Sequence, residues 1–165
     1  MNKLRLFILV MALGAFCVQS MAKDNAAEYN YELTRAGVPG VKSRDPNFVI
    51  FVVYSYGKKE KLTTEVCKRN AIHGVIFKGL PAEDGMSAVP ALLGSETYEA
   101  HKDYFDDFFK SSYLQYLEET NKGMHDVMKL KKEYKVGMKV TVNLKALKER
   151  LRQDKILVNY KELFM

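Results

Sequence analysis

The run Phe48 to Tyr56, FVIFVVYSY, constrains the fold of this chain more than any other stretch. It is uncharged, rich in β-branched and aromatic residues, and apolar on both parities. That pattern predicts a central strand covered, or nearly so, on both sides. Gly57-Lys58-Lys59 follows as a turn. A helix is expected over 60–73, with Leu62, Val66, Cys67 and Ala71 on one face and Lys61, Glu65, Lys68 and Arg69 on the other. Gly74 is expected to end it, because glycine takes the left-handed conformation favoured just past a helix. Val75-Ile76-Phe77 then reads as a short buried strand. Strand, helix and strand in about thirty residues permit a parallel crossover.

The flanking segments carry weaker signals. Tyr29, Tyr31 and Leu33 alternate with Asn30, Glu32 and Thr34, which predicts a strand with one wet face. Gly37, Pro39, Gly40 and Pro46 make 36–47 a loop, and the glycines and prolines of 78–94 make that segment a long surface loop. Ser95 is placed to cap one amphipathic helix. Its stripe carries Tyr98, His101, Phe105, Phe108, Phe109 and Ser112, opposite Asp103, Asp106, Asp107 and Lys110. Ser111-Ser112 ends it, leaving 113–117 as a turn or a strand.

Residues 125–130 and 134–144 read as an antiparallel pair around Lys131-Lys132-Glu133. Met128 and Leu130 share one apolar parity there, as do Val136, Met138, Val140 and Val142, and Gly137 marks a bulge. A charged helix follows over 146–154 with Leu147 and Leu151 inward, then an edge strand at 156–158. Helices and strands mix without regular alternation. The expected fold is therefore α+β: one mixed or antiparallel sheet of four to five strands, with two or three helices packed on one face.

The first twenty-two residues read as a signal peptide: Lys3 and Arg5, an apolar run from Leu6 to Val18, then Ser20-Met21-Ala22. The apolar run is shorter than the ~20 residues of a spanning helix. The expectation is an exported protein, periplasmic or secreted, with a single domain over 23–165 and no transmembrane span in the mature chain. Without Lys3 and Arg5, 24 of the 26 basic residues stand against 20 acidic ones, a charge of +4. Cys17 leaves with the leader, so Cys67 is the only mature thiol and no internal disulfide is expected. It reads as a small buried apolar side chain.

Chemistry-bearing residues are sparse. His73 falls at the end of the first helix, with no carboxylate or nucleophile that the sequence places beside it. His101 lies on the stripe between Tyr98 and Phe105, where a core or edge histidine is expected. His125 and Asp126 are neighbours on a strand and point to opposite faces. Asp103, Asp106 and Asp107 form a solvated helix face, not a calcium loop. One cysteine and three scattered histidines exclude a structural zinc site. No nucleophile elbow, phosphate-cradling loop or H-E-x-x-H is present. No catalytic residue, metal or cofactor is expected.

Lys129, Lys131, Lys135 and Lys139 share the parity opposite the apolar face, the solvent side of a half-buried sheet. Export argues against a nucleic-acid partner, and no aromatics are expected to interleave on that face to stack bases.

The stretches KRNAIHGVIFKG, FFKSSYLQYLEE and YKVGMKVTVNLKALKERLRQDKI resemble an uncharacterised family of secreted cell-envelope proteins from Bacteroidetes-type Gram-negative bacteria. The strand ending in V-x-V-x-L, followed by an L-x-x-x-L helix, is distantly similar to small α+β domains of outer-membrane assembly proteins. The resemblance implies an envelope location, possible outer-membrane association included, and transfers no catalytic residue. The expected role is non-enzymatic protein–protein contact in an envelope assembly or surface complex, with an envelope protein as partner. The alternative is a small-ligand or glycan-binding module using Tyr54, Tyr56 and Tyr98, with His73 and His101 as further binding candidates. A third reading is a hydrolase using His73 or His101.

Overall fold

The computed structural model describes residues 30–36, 45–83, 85–120 and 126–157. The leader at 1–22, Tyr29, most of the 36–47 loop, His125 and Val158 lie outside them. Chain contacts set Met1–Asn30 apart from Tyr31–Met165, and the fold below is that of the second unit.

Five strands form one antiparallel sheet. They are β1 (Tyr31–Arg35), β2 (Phe48–Gly57), β3 (Leu117–Glu119), β4 (Asp126–Lys129) and β5 (Tyr134–Asn143). β2 pairs with β1 on one side and with β5 along its whole length on the other. The far edge of β5 is shared: β3 pairs with 140–142 and β4 with 134–137. The helices are α1 (Glu60–Phe77), α2 (Glu96–Ala100), α3 (Lys102–Phe108) and α4 (Leu144–Gln153), with a 3-10 turn at Ser112–Tyr116. The expected α+β architecture, one sheet with helices on one face, is what the chain adopts.

The core lies between α1 and the inward residues of β2 and β5. Phe51, Val53, Val136, Met138, Val140 and Val142 meet Cys67, Ala71, Ile72, Val75 and Ile76, all fully buried or nearly so. Each Val, Ile, Phe or Met among them contributes on the order of 1.5–3 kcal/mol of transfer free energy. Leu147 and Leu151 of α4 close one end, as their spacing predicts.

Several expectations fail, each for a physical reason. Val75-Ile76-Phe77 is the last turn of α1, so there is no parallel crossover. Val75 and Ile76 continue the buried stripe of Ala71 and Ile72 at helical spacing, and that burial outweighs their modest helix propensity. Gly74 sits inside the helix where α1 crosses β1; a Cβ there would come within 2.5 Å of Leu33 Cδ1. The capping glycine is Gly79, at φ +73°, whose N–H donates to Gly74 O at 2.8 Å.

The helix expected from Ser95 to Ser112 is broken at His101 (φ −127°, ψ 37°) into α2 and α3. Seven residues of straight helix rise about 10 Å. The break instead stacks Tyr98 on Phe105 with centroids 5.5 Å apart and planes at 12°. Ser95 makes no side-chain cap bond.

β2 alternates buried residues with half-buried ones and the exposed Ile50, so the helices among the described residues cover one face only. β4 is exposed throughout, with Met128 outward, so its apolar parity does not face the core. Gly137 sits in regular register and marks no bulge. Ile156 is buried, but 156–157 form no strand.

Candidate functional site

The uncovered face of the sheet is built from the alternate residues of β2 and their partners. In cross-strand register, Glu32 of β1 lies beside Tyr54, which lies beside Gly137 of β5 and then Asp126 of β4. One row along, Tyr56 lies beside Lys135, and Lys135 beside Met128. Gly137 leaves room for the Tyr54 ring, since a Cβ there would meet Tyr54 Cε1 at 2.5 Å.

A polar network holds these rings. The Tyr56 hydroxyl donates to Glu32 Oε1 at 2.8 Å, and Lys135 Nζ donates to Glu32 Oε2 at 2.9 Å. The same ammonium lies 4.6 Å from the Tyr54 centroid and 5.3 Å from that of Tyr56, within cation–π range. Lys135, and then Tyr56, hold the Glu32 carboxyl below the usual carboxylate range. The Tyr56 hydroxyl and the Glu32 carboxylate push the Lys135 ammonium above the usual lysine range. Beside this cluster is an open hollow of about 440 Å³, lined by Tyr54, Asp126, Val127, Met128 and Lys135.

The face is also where apolar side chains reach solvent. Of the four large hydrophobic residues exposed among the described residues, Ile50 (38%) and Met128 (59%) lie on it and Val127 (43%) borders it. The expectation that no aromatics interleave with the lysines therefore fails. The tyrosines arrive from β2 through the sheet register, which the pattern of the β4–β5 hairpin does not record.

His73 and Tyr98 belong to a different place, on the helical side. His73 Nδ1 shares a 2.6 Å hydrogen bond with the Tyr31 hydroxyl. The Phe77, Phe109 and Tyr98 rings lie 4.9, 6.0 and 6.2 Å from the imidazole centroid. Burial first, then the positive charges of Lys78 and Arg69, lower its pKa to about 3, so the ring is neutral at physiological pH. His101 is exposed at the break between α2 and α3 and does not join this cluster, so it is not a core histidine. The five candidate residues thus divide into Tyr54 with Tyr56, His73 with Tyr98, and His101 by itself.

Imidazole and thiol do not converge. Cys67 is buried against the sheet, and its Sγ donates to Val136 O at 3.3 Å. Burial pushes the thiol pKa up, which disfavours the nucleophilic thiolate. Nearby, Asn70 Nδ2 donates to Ser55 Oγ at 2.9 Å, a buried polar pair that joins α1 to β2. On the helical side Asp106 is taken up by Lys102 and Tyr98, and Asp107 by Lys110. Among the described residues, no group of three or more His, Cys, Asp or Glu side chains could hold a metal ion.

Glu32, Asp126, Met128 and Gly137 complete the face, and sequence reasoning missed them. Glu32 lay on the wet parity of its strand, and Gly137 interrupted a run of bulky residues; those were the available signals. The class defined by this geometry is an α+β protein whose sheet, among the described residues, has one helix-covered face and one aromatic face that no helix covers. Compared with known protein families, curated proteins and solved structures, the chain matches none. No helix among the described residues is long and apolar enough to cross a membrane.

Proposed function

We propose that this chain is a non-enzymatic, exported cell-envelope protein that acts by protein–protein contact, and that the bare sheet face is its contact surface. The observation that carries the reading is the pairing of tyrosines with exposed Ile50 and Met128 on a face that no helix among the described residues covers. Tyrosine and methionine are enriched at interfaces, and tyrosine supplies contact area at low entropic cost. The leader pattern of residues 1–22 and the resemblance to secreted envelope proteins support the envelope location. Replacing Tyr56 by a photo-crosslinking residue in cells should give one discrete adduct, and the same residue at Lys110 on the helical side should not. Equal adducts from both positions, or none from Tyr56, would overturn the assignment.

A glycan or small polar ligand is the second reading, favoured by one observation. Tyr54, Asp126 and Lys135 line the same open hollow, where a ring could stack and hydroxyls could bond. Calorimetric titration with envelope oligosaccharides decides it: binding that Tyr54→Ala abolishes supports a ligand site, and no heat at millimolar sugar removes it.

A further inference from the structure

The sheet has two edges, and the fold treats them differently. β1 closes one side, and a carboxylate occupies part of its outer edge: the Arg35 N–H donates to Glu83 Oε2 at 2.9 Å. Glu83 comes from the segment bridged at Leu80–Val89 and Glu83–Met86. β4 closes the other side beside the hollow. All four of its residues are exposed, and among the described residues it pairs with β5 alone. Val127 and Met128 stand out from it at 43% and 59% exposure. Such an edge presents main-chain donors and acceptors to an incoming strand.

The charge around β4 selects among occupants. Lys129 ends the strand, Lys131 and Lys132 form the following turn, and Lys139 lies on β5. None of these four ammonium groups is ion-paired among the described residues, whereas Lys135 is held by Glu32. From Asp126 to Lys139 the ribbon carries five lysines against Asp126 and Glu133, a net charge of +3. Lysine on an open edge is a device against self-pairing. Two copies joined edge to edge here would set like charges side by side, which disfavours a second copy. An extended acidic segment meets no such penalty, and its alternate apolar side chains would lie beside Met128 on the bare face, with Val127 on the opposite face.

We infer that β4 is a strand-addition site for an extended acidic segment of a partner protein, joined antiparallel or parallel along its free edge. The inference rests on the contact reading of the sheet face and names the partner's chemistry. Main-chain bonds to β4 would supply affinity. The lysines would supply selection for acidic over basic chains, with a salt-dependent on-rate.

The test uses the purified full-length chain and two blocked octapeptides, one alternating Val with Glu and one alternating Val with Lys. Amide spectra and titration calorimetry are the readouts. The Val-Glu peptide should bind at least tenfold more tightly than the Val-Lys peptide, shift β4 amides, and slow their hydrogen exchange. Lys129→Glu combined with Lys131→Glu and Lys132→Glu should reverse that preference without changing the melting temperature. Val127→Asp with Met128→Asp should remove binding of both peptides. Equal binding of both peptides, shifts confined to α1 or α4, or no binding at millimolar peptide overturns the inference. Binding to phosphatidylglycerol vesicles but not to the Val-Glu peptide overturns it as well and makes the ribbon a membrane-facing surface. A Tyr56 adduct formed in cells despite failure of the peptide would leave the contact function standing and remove only the acidic-strand partner.

Discussion

Two aromatic clusters sit on opposite faces of one sheet, and the comparison shows how burial sets the role of a side chain. On the helical side, Phe77, Tyr98, Phe105, Phe109 and His73 pack ring against ring. On the bare side, Tyr54 and Tyr56 carry Lys135 over their rings and remain in reach of solvent. Both clusters contain a tyrosine hydroxyl hydrogen-bonded to a titratable group: Tyr31 with His73, and Tyr56 with Glu32. In the dry cluster the environment suppresses the charge, and the histidine is held neutral. In the wet cluster it favours the charges, with the carboxyl pKa lowered and the ammonium pKa raised. The first cluster is therefore part of the core, and the second is a charged, ordered surface.

The strongest way to break this contrast is truncation on each side. Phe105 is fully buried and contacts Phe77, Tyr98, Tyr104 and Phe109. Phe105→Ala should cost about 3–5 kcal/mol in denaturant unfolding, from lost transfer energy plus a cavity. A cost under about 1 kcal/mol would mean that the dry cluster is not core.

The pH dependence is next in size. Unfolding restores an ordinary imidazole, which takes up a proton below about pH 6.5. Folded His73 stays neutral down to about pH 3. Between those values the unfolded state binds more protons, so stability rises with pH and is lost as pH falls through the window. From pH 6.5 to pH 5 the loss due to His73 should be about 1.5 kcal/mol. His73→Gln should flatten that part of the pH profile of unfolding, and an unchanged slope would refute a buried neutral imidazole.

The smallest effect belongs to the wet cluster. Glu32→Gln removes an exposed ion pair and should change stability by no more than about 0.5 kcal/mol. It should nonetheless loosen Tyr56 and Lys135, read as broadened side-chain resonances. A loss of several kcal/mol would show that the network holds the fold together and does not merely dress its surface.

Much of this was legible in local pattern. β2 follows from its β-branched and aromatic run, β5 from its strict alternation, and α4 from Leu147 and Leu151 four residues apart. Illegible was anything that depended on a neighbour distant in sequence. Val75-Ile76-Phe77 has strand composition, yet helical periodicity with Ala71 and Ile72 decides its state. Gly74 reads as a cap, yet it belongs inside the helix against Leu33, and Gly79 ends the helix in its place. The candidate site suffered most. Tyr54, Tyr56, Glu32 and Lys135 come from three strands, and Lys135 lies 103 residues from its carboxylate partner.

Alternation and helical spacing are properties of a few consecutive residues, and they determined most of the elements, the α+β class and the burial of Cys67. Which face of β2 stays bare, which aromatics share a cluster, and which lysines stand beside tyrosines were decided by tertiary structure. Those outcomes depend on strand register and on where the helices come to rest. Both arise from contacts between segments that the chain order keeps far apart, so no local pattern records them.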